Sequence, residues 1–287
     1  MTLIVSWVGI DTHGLTSAYI ASDSRVSWSS LGRKYDGCRK IYHSLEYPDI
    51  VGYCGDVLFP SLLLGSIFDC IDVGLLFNPK DNALIRYDKF KKKLFNEFHK
   101  YPKIKGIVNN DFQIIYINRD IIGSSNPLYP QFYCHVIEWK ISDKGAPTEK
   151  GNFNSFKIDM PSKSGWLHVM GSGEKNFKSN YEKQFARSIN HGTSRNIYHC
   201  FTYTLGSIKD ITVGGPPQLV GIYRKPKSKA KTFGLIYHGN RYYDGLLVAK
   251  QNTHDNIEWR NNNFEICSGI TGKIKNTAKK QPSVLLD

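Results

Sequence analysis

The sequence predicts a mixed α+β fold, and three observations carry that prediction. The first is a pair of runs rich in β-branched and aromatic residues, LIVSWVGI and LTSAYIAS, which flank a short Asp-Thr-His-Gly turn and therefore predict a hairpin. The second is a helical region between residues 60 and 101, and the third is a set of later strand-like runs. A chain of 287 residues, 40% of them hydrophobic and 22% charged, is large enough to bury a core of ordinary size.

The N-terminal hairpin is predicted to bring a hydroxyl close to a carboxylate. Pairing Thr12 with His13 across the tip also pairs Thr2 with Asp23. Met1 is expected to be removed because the next residue is small, and its removal leaves a hydroxyl and a free α-amine on Thr2. An α-amine titrates near pH ~8, so a fraction of it is uncharged at neutral pH and accepts a proton from the hydroxyl. One residue thus supplies both a nucleophile and its base.

A lysine close to such an amine lowers the pKa of the amine and of the hydroxyl, and it needs a carboxylate to hold it. Lys40 and Asp23 are the candidates for that pair. The alternative is an ordinary buried ion pair that fixes a turn, with Thr2 as a fraying terminus.

The remaining elements follow in an order that mixes strands and helices. A short buried strand, DIVGYC, leads to Gly55, and Pro60 fits the first turn of a helix that is apolar on nearly all sides and hence buried between layers. An amphipathic helix is predicted at 81–101 and a second later helix at 195–208. Further strands are predicted at 111–121, 132–141, 155–159 and 218–224, together with a strand at 165–173 that turns into a helix near Glu174.

The chain is divided by these patterns into a main domain at 1–224, an extension at 225–271 and a tail at 272–287. Two short strand-like runs in the extension, KTFGLIYH and RYYDGLLVAK, predict an added hairpin. The tail is polar and rich in lysine, and it is expected to be mobile.

Six pieces of the chain occur in a distinctive order: Thr2 at the start of the first strand, ASDSR at 21–25, CRKIYH around Lys40, YCGD around Gly55, MGSG at 170–173 and DITVGG at 210–215. This order resembles the proteasome-type, beta-subunit-like branch of the N-terminal-nucleophile (Ntn) hydrolases. The resemblance spans residues 2–224 and implies a four-layer αββα sandwich, to which the C-terminal hairpin is added.

The resemblance also implies the roles of individual residues. Thr2 is expected to be the nucleophile and amine base, with Asp23 and Lys40 as the charge pair. The backbone N–H of Gly55 is expected to bind the oxyanion, with Ser172 and Asp210 assisting the amine. Tyr53 is expected to border the pocket for the side chain that precedes the cleaved bond, and Arg25 to take part in substrate binding.

The leading interpretation is therefore a threonine-type amide-bond hydrolase, a peptidase that acts on a peptide or protein and uses no cofactor. The resemblance further implies a homo-oligomer and an ATP-driven unfoldase as partner. A catalytically silent proteasome-like subunit that serves assembly or binding is the alternative. It is favoured by Val213, because the family has a serine before the paired glycines and valine cannot donate a hydrogen bond; the adjacent Thr212 is a candidate replacement.

Composition and motif spacing bear on three other kinds of function: metal binding, membrane insertion and nucleic-acid binding. Six scattered cysteines form no C-x-x-C pair and nine histidines show no HExxH spacing, so a metal site is not expected. The cysteines are expected to be reduced, which indicates a cytoplasmic location. No run of ~18 apolar residues predicts a membrane span. The net charge of +13 is compatible with nucleic-acid binding. The basic residues cluster at 89–105, 224–231 and 273–280, but no nucleic-acid-binding motif accompanies these clusters, so this role is a further alternative.

Overall fold

The computed structural model describes residues 2–28, 32–102, 111–120, 130–142, 151–225, 228–252 and 256–278. These residues form a mixed α+β structure, which confirms the predicted class. The helices are α1 (Leu58–Asp72), α2 (Ala83–Lys100), α3 (Glu174–Asn180), which continues into a π-helical turn at Tyr181–Phe185, and α4 (Ser194–Ser207), and a short 3-10 turn lies at Lys250–Asn252.

The strands are, in chain order, β1 (Ile4–Asp11), β2 (Gly14–Ser22), β3 (Arg25–Trp28), β4 (Arg33–Asp36), β5 (Ile41–His43), β6 (Asp49–Gly55), β7 (Phe112–Arg119), β8 (Phe132–Ile141), β9 (Gly151–Ile158), β10 (Gly165–Met170), β11 (Gln218–Tyr223), β12 (Lys231–Thr232), β13 (Gly234–Tyr237), β14 (Asn240–Tyr243), β15 (Leu246–Leu247), β16 (Trp259–Asn261) and β17 (Ile266–Cys267).

Most of the strands belong to three five-stranded sheets. The first sheet has the order β10-β1-β2-β11-β12 and the second has the order β5-β6-β7-β8-β9, and neighbouring strands in both are antiparallel. A third, C-terminal sheet has the order β15-β14-β13-β16-β17, while β3 and β4 form a separate two-stranded ribbon. The candidate site described below is built from the ends of strands in the first two sheets.

Side chains that point alternately to the two faces of a strand explain how the two large sheets are packed. In β1, Ile4 and Val8 pack with residues of the second sheet, whereas Val5 and Trp7 point the other way, into a cluster with α3 and α4. The same alternation in β6 directs its odd-numbered residues towards α1 and α2. Because successive strand residues point to opposite faces, a strand with an apolar cluster on each side reads as one continuous apolar run.

The N-terminal hairpin differs from its predicted register by one residue. The tip pairs as predicted, but a β-bulge between Gly9 and Ile10 leaves Thr16 unpaired, so Ile4 lies opposite Ser22. The N–H of Asp23 accordingly donates to the carbonyl of Leu3 at 3.2 Å. The predicted pairing of Thr2 with Asp23 is therefore wrong, because a bulge inserts one residue into one strand and shifts every pair beyond it.

The C-terminal extension forms more structure than the single predicted hairpin. β13 and β14 are that hairpin, but β13 also pairs in parallel with β16, and β15 and β17 complete a five-stranded sheet. Phe233, Leu235 and Phe264 of this region join the apolar cluster of β1 and α4. The boundary at residue 224 stays a prediction, and Met1, the end of the strand predicted to reach residue 121, and the tail from 279 onward lie outside the described residues. No helix in the described part of the chain is long and apolar enough to cross a membrane.

Candidate active site

A buried lysine joins the N-terminal residue of the described chain to the carboxylate at the end of β2. Lys40 Nζ donates to Thr2 Oγ1 at 2.8 Å and to Asp23 Oδ1 at 2.9 Å. The exposed fractions are 1% for Thr2, 1% for Lys40 and 0% for Asp23. A charge buried this deeply is stable only when it is paired and hydrogen-bonded. We call these three residues the buried triad.

The carboxylate of Asp23 is held by backbone donors as well as by Lys40. The N–H of Leu3 donates to Oδ1 at 3.1 Å, and the N–H groups of Arg25 and Gly214 donate to Oδ2 at 3.3 and 3.1 Å. Both carboxylate oxygens are thus occupied, and the chain segments before β1, after β2 and before β11 all meet at this side chain. This arrangement fixes the direction in which Asp23 presents its negative charge to Lys40.

The backbone around Lys40 is fixed by Gln218, a residue that the sequence does not single out. Gln218 is the first residue of β11 and is fully buried. Its Oε1 accepts a hydrogen bond from the N–H of Lys40 at 3.0 Å, and its Nε2 donates to the carbonyl of Cys38 at 2.6 Å. A glutamine at the start of a strand belongs to no recognisable sequence motif. Its role becomes clear only from the structure, in which β11 lies next to the segment before β5.

The MGSG turn holds the main chain of Thr2. The N–H of Gly173 donates to the carbonyl of Thr2 at 3.2 Å. Gly171 has a φ of +92°, and a Cβ on it would lie 2.1 Å from the Thr2 oxygen, so only glycine fits this approach. The turn between β10 and α3 therefore places Ser172 beside the first residues of β1.

A line of polar groups continues from Ser172. Its hydroxyl lies 3.4 Å from Oγ1 of Thr212, and Thr212 donates to Asp210 Oδ1 through its hydroxyl at 2.5 Å and its N–H at 2.9 Å. Burial raises the pKa of Asp210, but the hydrogen bonds from Thr212 and Ser172 outweigh it and bring that pKa below its ordinary value. The next residue, Val213, is buried in the apolar cluster of the first sheet, and the hydroxyl next to Ser172 is that of Thr212.

A cavity of about 650 Å³ opens next to this assembly. Its lining comes from β3, the ends of β6 and β8, the start of β7 and the turn before α3: Val26, Ser27, Trp28, Cys54, Gly55, Val57, Asp111, Phe112, Gln113, Trp139, Lys140, Gly171, Ser172 and Glu174. The buried triad does not line it, but Gly171 belongs both to the cavity wall and to the turn that contacts the main chain of Thr2. The cavity thus reaches the main chain next to the threonine.

Gly55 lies on the cavity wall where β6 ends. Its φ is +96°, and a Cβ on it would lie 2.1 Å from the carbonyl oxygen of Asp111, so this close approach also requires glycine. The preceding Cys54 is buried, and burial raises the pKa of its thiol to about 12 despite the nearby charge of Lys40. Cys54 is therefore a protonated thiol at neutral pH and not a nucleophile.

The structure does not bring the two predicted substrate-binding residues to this cavity. Tyr53 lies in the apolar cluster with α1 and α2, and its hydroxyl donates to the carbonyl of Arg39 at 3.2 Å. Arg25 forms an ion pair with Asp36, with a shortest distance of 2.6 Å, and its Nη1 donates to the carbonyls of residues 211 and 213 at 3.1 and 3.2 Å. The side-chain contacts described for both residues are thus internal to the protein.

No protein-family model matches the chain, and no curated protein matches it. Solved structures with some similarity include Anbu (ancestral beta-subunit) from Yersinia bercovieri, with a TM-score of 0.47 and 11% identity over 85% of this chain and 87% of that chain. Two structures of Anbu from Hyphomicrobium sp. strain MC1 are also similar. A Gly-1 mutant has a TM-score of 0.42 and 14% identity over 81% of this chain and 87% of that chain. The other has a TM-score of 0.40 and 15% identity over 80% of this chain and 86% of that chain.

These findings correct the family assignment made from the sequence. Membership of the beta-subunit-like Ntn hydrolases is wrong as an assignment, because no family model or curated protein matches and the structural similarity is low. Short motifs that occur in a suggestive order do not establish membership of a family, and a fold does not by itself define an activity. The proposals below therefore depend on the contacts of this chain alone.

Proposed function

We propose that this chain is a threonine-type hydrolase of amide bonds, a peptidase, in which removal of Met1 exposes Thr2 as both nucleophile and base. The observation that carries the proposal is the position of Lys40 Nζ, 2.8 Å from the Thr2 hydroxyl oxygen and 2.9 Å from Asp23. A fixed ammonium group at a hydroxyl oxygen stabilises the negative charge that develops there when the proton leaves. The adjoining cavity of about 650 Å³ supplies the space for a substrate.

The first half of the reaction forms an ester. The α-amine of Thr2 takes the hydroxyl proton, and Oγ1 attacks the carbonyl carbon of the substrate amide. The resulting oxyanion accepts a hydrogen bond from the N–H of Gly55 on the cavity wall. The protonated amine then gives its proton to the leaving nitrogen, the C–N bond breaks, and the acyl group remains on Thr2.

The second half of the reaction consumes one water molecule. The amine of Thr2 takes a proton from the water, whose oxygen attacks the ester carbonyl. Collapse of this intermediate breaks the bond to Oγ1, and the proton returns to the threonine oxygen as the acid product leaves. We assign Ser172, Thr212 and Asp210 to the orientation of the amine, since the two flanking glycines keep Ser172 against the main chain of Thr2.

The same proposal includes the arrangement of layers, the location in the cell, the assembly and the partners of the protein. Three apolar clusters, one between the two large sheets and one between each sheet and its helices, support a four-layer αββα arrangement. Six free cysteines support a reducing, cytoplasmic location. Exposed apolar side chains on and after α1, namely Leu58, Leu62, Val73 and Leu75, support assembly into a homo-oligomer. A peptide or protein substrate and an unfoldase partner stay predictions.

The decisive experiment is mass spectrometry after incubation with an electrophile that acylates threonine. The chain is prepared with a free Thr2 by cleavage of an N-terminal fusion, alongside Thr2→Ala and a variant that retains Met1. We expect one adduct on Thr2 in the first preparation and none in the other two, because one lacks the hydroxyl and the other has an amide in place of the amine. A folded chain with free Thr2 that acquires no adduct refutes the proposal.

A catalytically silent protein that serves assembly or binding is the second candidate. It is favoured by the 1% exposure of Thr2, since a nucleophile must meet its substrate, and by the valine at 213. The two candidates differ in the labelling experiment. The silent protein requires that free Thr2 stays unlabelled in the folded chain, whereas the hydrolase requires an adduct.

A further inference from the structure

The turn between β14 and β15 packs against two residues next to the buried triad, Gln218 and Ser24. It consists of Asp244, with a φ of +49°, and Gly245, with a φ of +81°, and we call it the 244–245 turn. A Cβ on Gly245 would lie 2.8 Å from Nε2 of Gln218 and 2.8 Å from Cβ of Ser24. Real Cβ atoms do not approach other atoms this closely, so the glycine backbone is packed onto these two side chains without any space between them.

The two residues under the turn hydrogen-bond to the backbone of the segment that leads to Lys40. Gln218 holds the N–H of Lys40 and the carbonyl of Cys38, as described above. Ser24 follows Asp23 in the chain, and its carbonyl accepts hydrogen bonds from the N–H groups of Gly37 and Cys38 at 3.1 and 2.9 Å. A displacement of either residue therefore moves the segment that carries Lys40.

Two further contacts connect the turn and the first residue of β15 to that segment. Asp244 Oδ2 lies 3.4 Å from Nε of Arg39, the residue before Lys40. The side chain of Leu246 lies 3.3 Å from the place of a Cβ on Gly37. The C-terminal sheet thus contacts the segment from 37 to 39, which leads directly to Lys40.

We propose that the 244–245 turn is a positioning element of the candidate active site, and that the C-terminal sheet holds Lys40 at hydrogen-bonding distance from Thr2. The effect on Thr2 chemistry rests on the function proposed above, whereas the effect on Lys40 does not. Close-packed interiors transmit small displacements, and a misplacement of about 1 Å at a reacting group lowers a rate by about 100-fold. The turn lies outside residues 2–224, so the sequence resemblance says nothing about it.

The test compares two glycines of the same small sheet. Gly245→Ala adds a methyl group against Gln218 and Ser24. Gly239→Ala is the matched control, because its φ of +74° imposes a similar backbone penalty while no atom lies within 4 Å of its Cβ position. The full-length chain is used in both cases, and urea unfolding measures the stability that each variant loses.

Two readouts separate this inference from the proposed function. The first is the NMR signal of the Lys40 ammonium, assigned by its loss in Lys40→Met, which burial and two hydrogen bonds protect from exchange with water. The second is the rate at which the electrophile labels free Thr2. We expect Gly245→Ala to lose the ammonium signal and to label about tenfold more slowly or worse, and Gly239→Ala to retain both.

An ammonium signal that persists in Gly245→Ala, or that disappears equally in Gly239→Ala, overturns the inference whether or not Thr2 is reactive. If the signal responds as expected but no preparation is labelled, the positioning role stands and the proposed hydrolase fails. Asp244→Asn decides the matter if Gly245→Ala does not fold, because asparagine tolerates a positive φ, keeps the size of the side chain and removes the charge that faces Arg39 and His43. A weakened Lys40 signal in Asp244→Asn supports the inference, and an unchanged signal overturns it.

Discussion

Replacing Lys40 with methionine removes the ammonium group from the buried triad while keeping most of the side-chain volume. The variant loses the contacts of 2.9 Å to Asp23 and 2.8 Å to Thr2. Removing one partner of a buried ion pair costs about 3–5 kcal/mol, because the other charge stays buried without compensation. The three backbone N–H groups on the Asp23 carboxylate remain, so we expect a loss near the lower end, about 3 kcal/mol.

Equilibrium unfolding in urea measures this loss, and Lys93→Met is the matched control. The Lys93 pair with Glu97 has a similar length of 2.9 Å, but its side chains are 40% and 26% exposed. An exposed pair of this kind contributes less than about 0.5 kcal/mol. In addition, Lys40→Met is expected to slow the labelling of free Thr2 by at least about 100-fold, since a fixed charge at a developing oxyanion is worth that much in known active sites.

A double variant tests the physical reason for the loss. Lys40→Met with Asp23→Asn leaves no uncompensated charge, so its loss of stability is expected to be smaller than the sum of the two single losses by about 2 kcal/mol. The reasoning is refuted if Lys40→Met is as stable as Lys93→Met, if the two single losses add without coupling, or if Thr2 is labelled at the wild-type rate.

Three other outcomes are expected. Arg86→Leu leaves the carboxylate of Asp49 buried without its 2.9 Å partner, and calorimetry or urea unfolding is expected to show a loss of about 3–5 kcal/mol; a loss below 1 kcal/mol contradicts the pairing. Asn82→Ala removes the acceptor of the 2.9 Å bond from the N–H of Ile85 at the start of α2 and is expected to lose about 1 kcal/mol, whereas Asn82→Asp keeps it. At pH 8, iodoacetamide is expected to alkylate Cys54 in the folded protein far more slowly than in urea. The rise of its pKa from 9.0 to about 12 alone lowers the thiolate population about 1,000-fold, and rapid alkylation of the folded protein refutes that shift.

Local patterns predict much of the secondary structure. The amphipathic helix predicted at 81–101 is α2 at Ala83–Lys100, and the strand predicted at 132–141 is β8. The helix follows from its apolar periodicity and the strand from its run of apolar and aromatic residues, because each element is long and its signal comes from neighbouring residues. The hairpin tip follows from its turn residues in the same way.

Non-local pairing limits what the sequence can indicate. The bulge opposite Gly9 and Ile10 adds Thr16 to a run that is β-forming throughout, so the alternation shows no interruption, and the pairing near Asp23 is shifted by one. β13 pairs with β16 across more than 20 residues, and strands of three or four residues have little periodicity of their own. The predicted single hairpin is therefore only part of the C-terminal sheet.

The candidate site shows the same limit at the level of single residues. Chemistry alone suggests Thr2, Lys40 and Asp23, since a hydroxyl, an ammonium and a carboxylate have recognisable uses. Gln218 and Gly245 have no such signal, because their importance lies in which atoms they touch and not in what they can react with. Supporting residues of this kind become visible only when four distant segments are seen to meet.

The scattering of these residues along the chain has a consequence for biosynthesis. Lys40, which contacts the Thr2 hydroxyl, lies within the first 40 residues, but the turn at 171–173 that contacts the Thr2 main chain comes much later. The N–H of Gly214, which donates to Asp23, and the 244–245 turn are synthesised later still. A nascent polypeptide that has emerged from the ribosome only as far as β9 lacks most of these supports. Under the hydrolase function proposed above, we expect its threonine to be unreactive at that stage, so that premature cleavage of neighbouring nascent chains is prevented without an inhibitor.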